Sequence, residues 1–171
     1  MEKNNITLIG MPGSGKTTLG KLLAKKLNFN FIDYDKHIAK QEKMSAQQIV
    51  DTKGDGAFLK IEEERILETL PLKKHIISPG GSVVYSERLM NILKNSSLII
   101  FLDLPLGIIE KRLTDRARRG IVGLKSKSIK ELYEERAPLY KKYADITINC
   151  FKKFNNEIIE EITQKLNDQI S

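Results

Sequence analysis

A chain of 171 residues with 40% hydrophobic content is long enough for one domain with a sizeable core and needs no second. Twenty-nine Lys and Arg against 22 Asp and Glu leave a net charge of +7, which suits nucleic acid, an acidic membrane or anionic small molecules. Nucleic acid is disfavoured, because there is no Trp, no aromatic-interleaved basic stripe and no zinc-ligand spacing.

Cys150 is the single cysteine, so an intrachain disulfide is excluded and a reducing compartment fits. No window approaches the roughly 18 apolar residues of a membrane span, and the first residues carry no signal pattern. The expectation is a cytoplasmic monomer with no membrane partner.

In chain order, Ile6-Thr7-Leu8-Ile9 reads as a short buried strand. Gly10-Met11-Pro12-Gly13-Ser14-Gly15-Lys16-Thr17 follows, and helical periodicity then runs from Thr17 to Leu27. Strand, glycine loop and helix are the context that gives G-x-x-x-x-G-K-[ST] its meaning. Glycines let the backbone wind tightly so that N–H groups point at a polyphosphate, and the helix presents its positive end to the same charge. Lys16 would reach the β- and γ-phosphates, and Thr17 would hold a Mg²⁺.

Phe29 to Asp33 reads as a second strand ending in an acidic pair, Asp33 and Asp35, where sites form in such sheets. From Asp35 to about Leu70 the chain is helix-rich, interrupted at Gly54-Asp55-Gly56, with Ile61, Ile66 and Leu67 spaced to bury a face. That excursion reads as a substrate-covering insertion, or as a structural pair of helices. His75 to Ser78 is the third strand and breaks at Pro79-Gly80-Gly81-Ser82. A helix from Ser86, its N-cap, to Lys94 leads to the apolar run Ser97 to Leu102, the best central strand.

Pro105 opens a helix that the pattern carries to about Arg118. Arg116, Arg118, Arg119 and Lys125, broken by two glycines, suggest a mobile loop over an anionic ligand, or a solvated helix end. Ser128 to Tyr143 reads as helix, Asp145 to Asn149 as the last strand and Asn156 to Ile170 as a closing amphipathic helix. Alternating strands and helices with β-branched strands call for a parallel sheet covered on both faces.

Together these residues resemble the shikimate kinases, in the nucleoside monophosphate kinase-like branch of P-loop proteins. The resemblance rests on the glycine loop, Phe31-x-Asp33-x-Asp35, Gly54-Asp55-x-x-Phe58 with Ile61-Glu62-Glu63, Gly80-Gly81, and Arg136-Ala137-Pro138-Leu139-Tyr140. It implies a three-layer α/β/α fold over residues 1–171, with a five-stranded parallel sheet in order 2-3-1-4-5. A substrate-binding helical region over about 35–70 and a basic lid over about 112–127 come with it, as do ATP and Mg²⁺ as cofactors. The activity implied is phosphoryl transfer from ATP to a small metabolite, shikimate above all.

By the same resemblance Gly13, Ser14, Gly15, Lys16, Thr17 and Thr18 bind nucleotide, with Arg112 along the adenine. Asp33 joins Thr17 near the metal, and Asp35 bonds the acceptor hydroxyls as a possible base, although Asp is also a preferred helix cap. Gly80 and Gly81 let backbone amides approach the acceptor. Arg136 anchors it through a planar fork, unless it instead pairs with Glu131 or Glu135. Arg119 neutralises the transferring phosphoryl group, a task that Arg116 or Arg118 could take.

Three acceptor-side positions depart from the family pattern. Pro79 replaces a glycine, Gly120-Ile121-Val122 replaces Pro-Leu-Leu after the lid arginine, and Leu59 replaces the arginine that follows the phenylalanine. Losing one arm of a charged clamp costs about 1.5 to 3 kcal/mol, roughly ten- to a hundredfold in affinity. Lys60, one position on, would point about 100° away on a helix. The alternatives are a divergent kinase for another hydroxylated metabolite, a noncatalytic nucleotide-binding module, and a hydrolytic P-loop switch or motor.

Overall fold

The computed structural model describes residues 3–113 and 120–170. Five strands, β1 (Asn5–Ile9), β2 (Asn30–Asp33), β3 (His75–Ser78), β4 (Ser97–Asp103) and β5 (Ile146–Asn149), form one sheet in the order β2-β3-β1-β4-β5. Every neighbouring pair is parallel, from Phe31 beside Ile76 through Ile6 beside both Ile76 and Leu98 to Leu102 beside Ile148. Parallel strands need crossovers, and helices supply them on both faces. The central strands are therefore buried on both sides, with Leu8, Ile9, Ile76, Ile77, Ile99 and Ile100 all excluded from solvent. Edge strand β5 alternates instead, with Ile146 and Ile148 buried and Thr147 and Asn149 exposed.

The helices are α1 (Lys16–Leu27), α2 (Tyr34–Glu42), α3 (Ala46–Lys53), α4 (Asp55–Thr69), α5 (Glu87–Ser96), α6 (Leu106–Arg112), α7 (Ile129–Tyr143) and α8 (Asn155–Ile170). Their starts follow local chemistry. Ser45 with Gln48 and Ser128 with Glu131 close reciprocal capping boxes on α3 and α7. Ser86 caps α5 through Leu89 N–H at 3.1 Å. Gly54, at φ 86°, ends α3 and opens α4 at once, a conformation that a side chain would resist.

The order of the strands is what assembles a site. β2, β3 and β1 are adjacent, so their carboxyl ends bring Asp33, the Pro79–Ser82 turn and the glycine loop to one rim of the sheet. Helix α1 can lie close beneath because Gly20 has no side chain; a Cβ there would stand 2.5 Å from the Phe31 ring.

Some local expectations move. The helix expected to run from Pro105 to about Arg118 ends at Arg112, because Leu113 leaves helical geometry with ψ of 84°; Arg116, Arg118 and Arg119 lie outside the described residues. Of the expected α4 face, Ile66 is fully buried and Ile61 and Leu67 pack partly against the core, while the fully buried row also takes in Phe58 and Glu62, because the helix turns its i, i+4, i+8 row toward the sheet rim. No helix among the described residues is long and apolar enough to cross a membrane.

Candidate active site

A cleft of about 620 Å³ opens at that rim. Gly13, Gly15, Lys16, Thr17, Thr18, Asp35, Gly80, Gly81, Arg112 and Arg136 all line it, so the expected residues from five separate stretches of chain converge on one space.

At one end lies the glycine loop. Gly13 and Gly15 adopt φ of 80° and 99°, which winds the backbone around the start of α1. No acidic residue stands in the first turn of α1 to satisfy its positive end. Ser14 Oγ is buried with no hydrogen-bond partner among the described residues, a donor and acceptor inside a cradle built for phosphate oxygens. Lys16 is buried, and its Nζ donates to the carbonyls of Gly10 at 2.8 Å and Met11 at 3.0 Å. Burial pulls its pKa down to about 8, against the opposing pull of Asp35, Glu62 and Asp33. Arg112, exposed at the end of α6, donates from Nη1 to Gly13 O at 3.2 Å and so stands over the loop.

Thr17 Oγ1 donates to Asp33 Oδ2 at 2.8 Å, placing a hydroxyl and a carboxylate together at the mouth of the cradle. The other oxygen of Asp33 accepts from Lys36 N–H at 3.3 Å, so Asp33, and not Asp35, caps α2. The capping alternative considered for Asp35 thus falls on its neighbour. Asp35 lines the cleft from the first turn of α2. The protein around it raises its carboxyl pKa, Lys16 opposes the rise and Asp33 adds to it.

Opposite, the turn after β3 presses on the loop: a Cβ on Gly81 would come within 2.8 Å of Pro12 Cδ. Gly80 gives its N–H to Glu62 Oε1 at 3.0 Å, and Ser82 Oγ donates to Glu62 Oε2 at 2.7 Å. Glu62 is only 1% exposed, and burial lifts its pKa to about 7 despite both donors. Sequence reasoning gave Glu62 no role. Its signal was one acid in the row Phe58, Glu62, Ile66, where an apolar residue belongs.

Arg136 is likewise 1% exposed. It donates from Nε to Tyr85 Oη at 3.0 Å and from Nη2 to Val122 O at 2.7 Å, and its Nη1 lies beside Gly81. Tyr140, close enough to Arg136 for the two to feel each other's charge, donates its hydroxyl to Gly81 O at 2.6 Å. Burial works against the guanidinium charge, but the two tyrosines raise its pKa overall. Its expected competitors do not hold it: Glu131 closes the α7 cap, and Glu135 bonds Tyr85 and Lys127. Leu59 does not line this cleft; it faces a neighbouring cavity of about 230 Å³ with Glu62 and Tyr85, and Lys60 is exposed.

A cradle for polyphosphate, a carboxylate beside it and a buried guanidinium across from it are the parts of phosphoryl transfer to an anionic acceptor. A family model described as shikimate kinase matches residues 12–167. The chain belongs to the shikimate kinase family.

A shikimate kinase of Sulfurihydrogenibium sp. (strain YO3AOP1) is 36% identical over 162 residues, 95% of this chain and 97% of the relative. One from Thermodesulfovibrio yellowstonii is 38% identical over 163 residues, 94% of each chain. Among solved structures, shikimate kinase from Acinetobacter baumannii in complex with shikimate matches with a TM-score of 0.88 at 25% identity, covering 97% of this chain and 94% of its own. The Aquifex aeolicus enzyme matches at 0.80 with 32% identity, covering 97% and 98%. The sheet order and layers are those of this family, whose members are small-molecule kinases.

Proposed function

We propose that this protein transfers the γ-phosphoryl group of ATP to a hydroxyl of shikimate, giving shikimate 3-phosphate. The observation that carries the reading is the convergence of Lys16, Asp35 and Arg136 on one cleft. ATP and Mg²⁺ fit the residues present, given the positive-φ glycines, the unpartnered Ser14 hydroxyl and the Thr17–Asp33 oxygen pair. The metal would supply charge neutralisation at the phosphates.

The chain's own groups divide the remaining work. Gly13, Ser14, Gly15 and Thr18 cradle the phosphates, Lys16 neutralises them, and Thr17 with Asp33 would hold the metal. Arg112 stands on the nucleotide side of the loop. Asp35 orients the acceptor hydroxyl and takes its proton, a role for which a raised carboxyl pKa is favourable. Arg136 grips the acceptor carboxylate beside Gly80 and Gly81. Residues 35–70 cover the acceptor and 112–127 serve as lid, with Arg119 assigned to the transferring group by family register alone.

One observation favours a second reading: Leu59 leaves the acceptor end with a single lining arginine, Arg136, among the described residues, so another small hydroxylated acid is the alternative acceptor. A coupled ADP-release assay over shikimate, gluconate, homoserine and nucleoside monophosphates tests both. Turnover is expected with shikimate; turnover only with another acceptor replaces the name, and ADP release with none removes the kinase reading.

A further inference from the structure

We propose that Tyr85 is a positioning residue for the acceptor anchor Arg136, holding its guanidinium through the hydroxyl so that the face toward the cleft stays available to an anionic acceptor. The inference rests on the function proposed above and deepens it.

Tyr85 closes a short 3-10 turn, Val83–Tyr85, directly after the Gly80–Ser82 segment that lines the cleft. Its side chain is only half-buried, so the hydroxyl could have faced water. Instead it accepts from Arg136 Nε at 3.0 Å and donates to Glu135 Oε1 at 2.7 Å, while the Arg136 carbon Cζ lies 5.1 Å from the ring centroid. Glu135 is held in turn by an ion pair with Lys127. Burial and Glu135 raise the Tyr85 pKa above its ordinary value, so the hydroxyl keeps its proton further into the alkaline range.

The consequence lies in how a buried cation is compensated. A carboxylate paired directly with Arg136 would occupy the fork that an acceptor carboxylate needs. Among the described residues Arg136 forms no ion pair; Tyr85 relays the negative charge of Glu135 from one atom further away. The relay holds the Nε edge, leaving orientation fixed and the opposite edge beside Gly81. With Leu59 where the family pattern has a second arginine, Arg136 is the one guanidinium at the acceptor end of the cleft among the described residues, so its orientation carries more of the affinity.

Tyr85→Phe keeps the ring and removes only the hydroxyl. In steady-state assays its KM for shikimate is expected to rise roughly 5- to 20-fold, with kcat and the KM for ATP within about twofold of wild type. A second readout does not need the acceptor: the Arg136 Nε–H resonance, identified by its loss in Arg136→Lys, should exchange with solvent about tenfold faster in Tyr85→Phe. An unchanged shikimate KM, a joint loss of kcat and ATP affinity, or equal Nε–H exchange in the two proteins overturns the proposal. If wild-type protein does not turn over shikimate, the proposed function fails, and the exchange measurement still decides whether Tyr85 holds Arg136.

Discussion

In the proposed reaction Lys16 must be two things at once, a charged partner for phosphate and a buried side chain. Its ammonium sits 2.8 and 3.0 Å from two loop carbonyls, and burial brings its pKa to about 8. Phosphate oxygens favour the protonated form, so nucleotide binding raises that pKa again. The sign follows. Below about pH 8 the free protein already carries the proton and affinity is flat; above it, binding must take up a proton, and affinity falls by up to about tenfold per pH unit. Calorimetry with Mg²⁺ and ADP at pH 7 and pH 9, in two buffers of different ionisation enthalpy, should show proton uptake only at the higher pH. The same affinity at both, with no uptake, would mean that Lys16 stays charged throughout.

At the scale of single elements, much was readable because the causes are local. The third strand falls at His75–Ser78 as expected, Ser86 caps the helix whose start it signals, and the helix expected from Ser128 begins there, with Ser128 as its cap. The misreadings have tertiary causes. Either aspartate could cap α2, and Asp33 does so because β2 ends there with its side chain turned toward both Lys36 and Thr17. Helix α4 buries Ile66 as its spacing with Ile61 and Leu67 suggests, yet its most buried row also holds Glu62, because Gly80 and Ser82 present two donors to that acid. Nothing near Glu62 in the chain announces partners 18 and 20 residues away.

Helix α4 also carries the clearest departure from the family, and its geometry turns that departure into a prediction. Leu59 faces the cavity that it shares with Glu62 and Tyr85, next to the acceptor end of the cleft. Arginine there would be welcomed by the Glu62 carboxylate and would add a cation beside Arg136. Leu59→Arg should therefore lower the KM for a carboxylate-bearing acceptor roughly ten- to a hundredfold, with little change in the KM for ATP. Acceptor titrations at saturating ATP measure it, and an unchanged KM would show that position 59 does not reach the acceptor.

Across the whole molecule, the segment after the undescribed arginines is fastened on two sides. Gly120 packs so tightly on α3 that a Cβ would stand 2.8 Å from Gln47 N, and Gly123 N–H donates to Asp55 Oδ2 at 3.0 Å at the start of α4. From the other side Arg136 donates to Val122 O at 2.7 Å. The bond from Asp55 to Gly123 spans 68 positions, so no motif could reveal it. The nearby Lys125–Asp51 pair is exposed at 2.8 Å and adds little. Asp55 is then the main tie between α3–α4 and the segment that carries Val122 against Arg136. In Asp55→Ala the amides of residues 120–127 should exchange roughly ten- to a hundredfold faster. The acceptor KM should rise with them while the ATP KM holds, because the Lys16 cradle takes no support from this tie. Hydrogen exchange of the free protein and steady-state kinetics measure the two effects. Faster exchange without a change in acceptor KM would separate the fastening of this segment from the grip of Arg136.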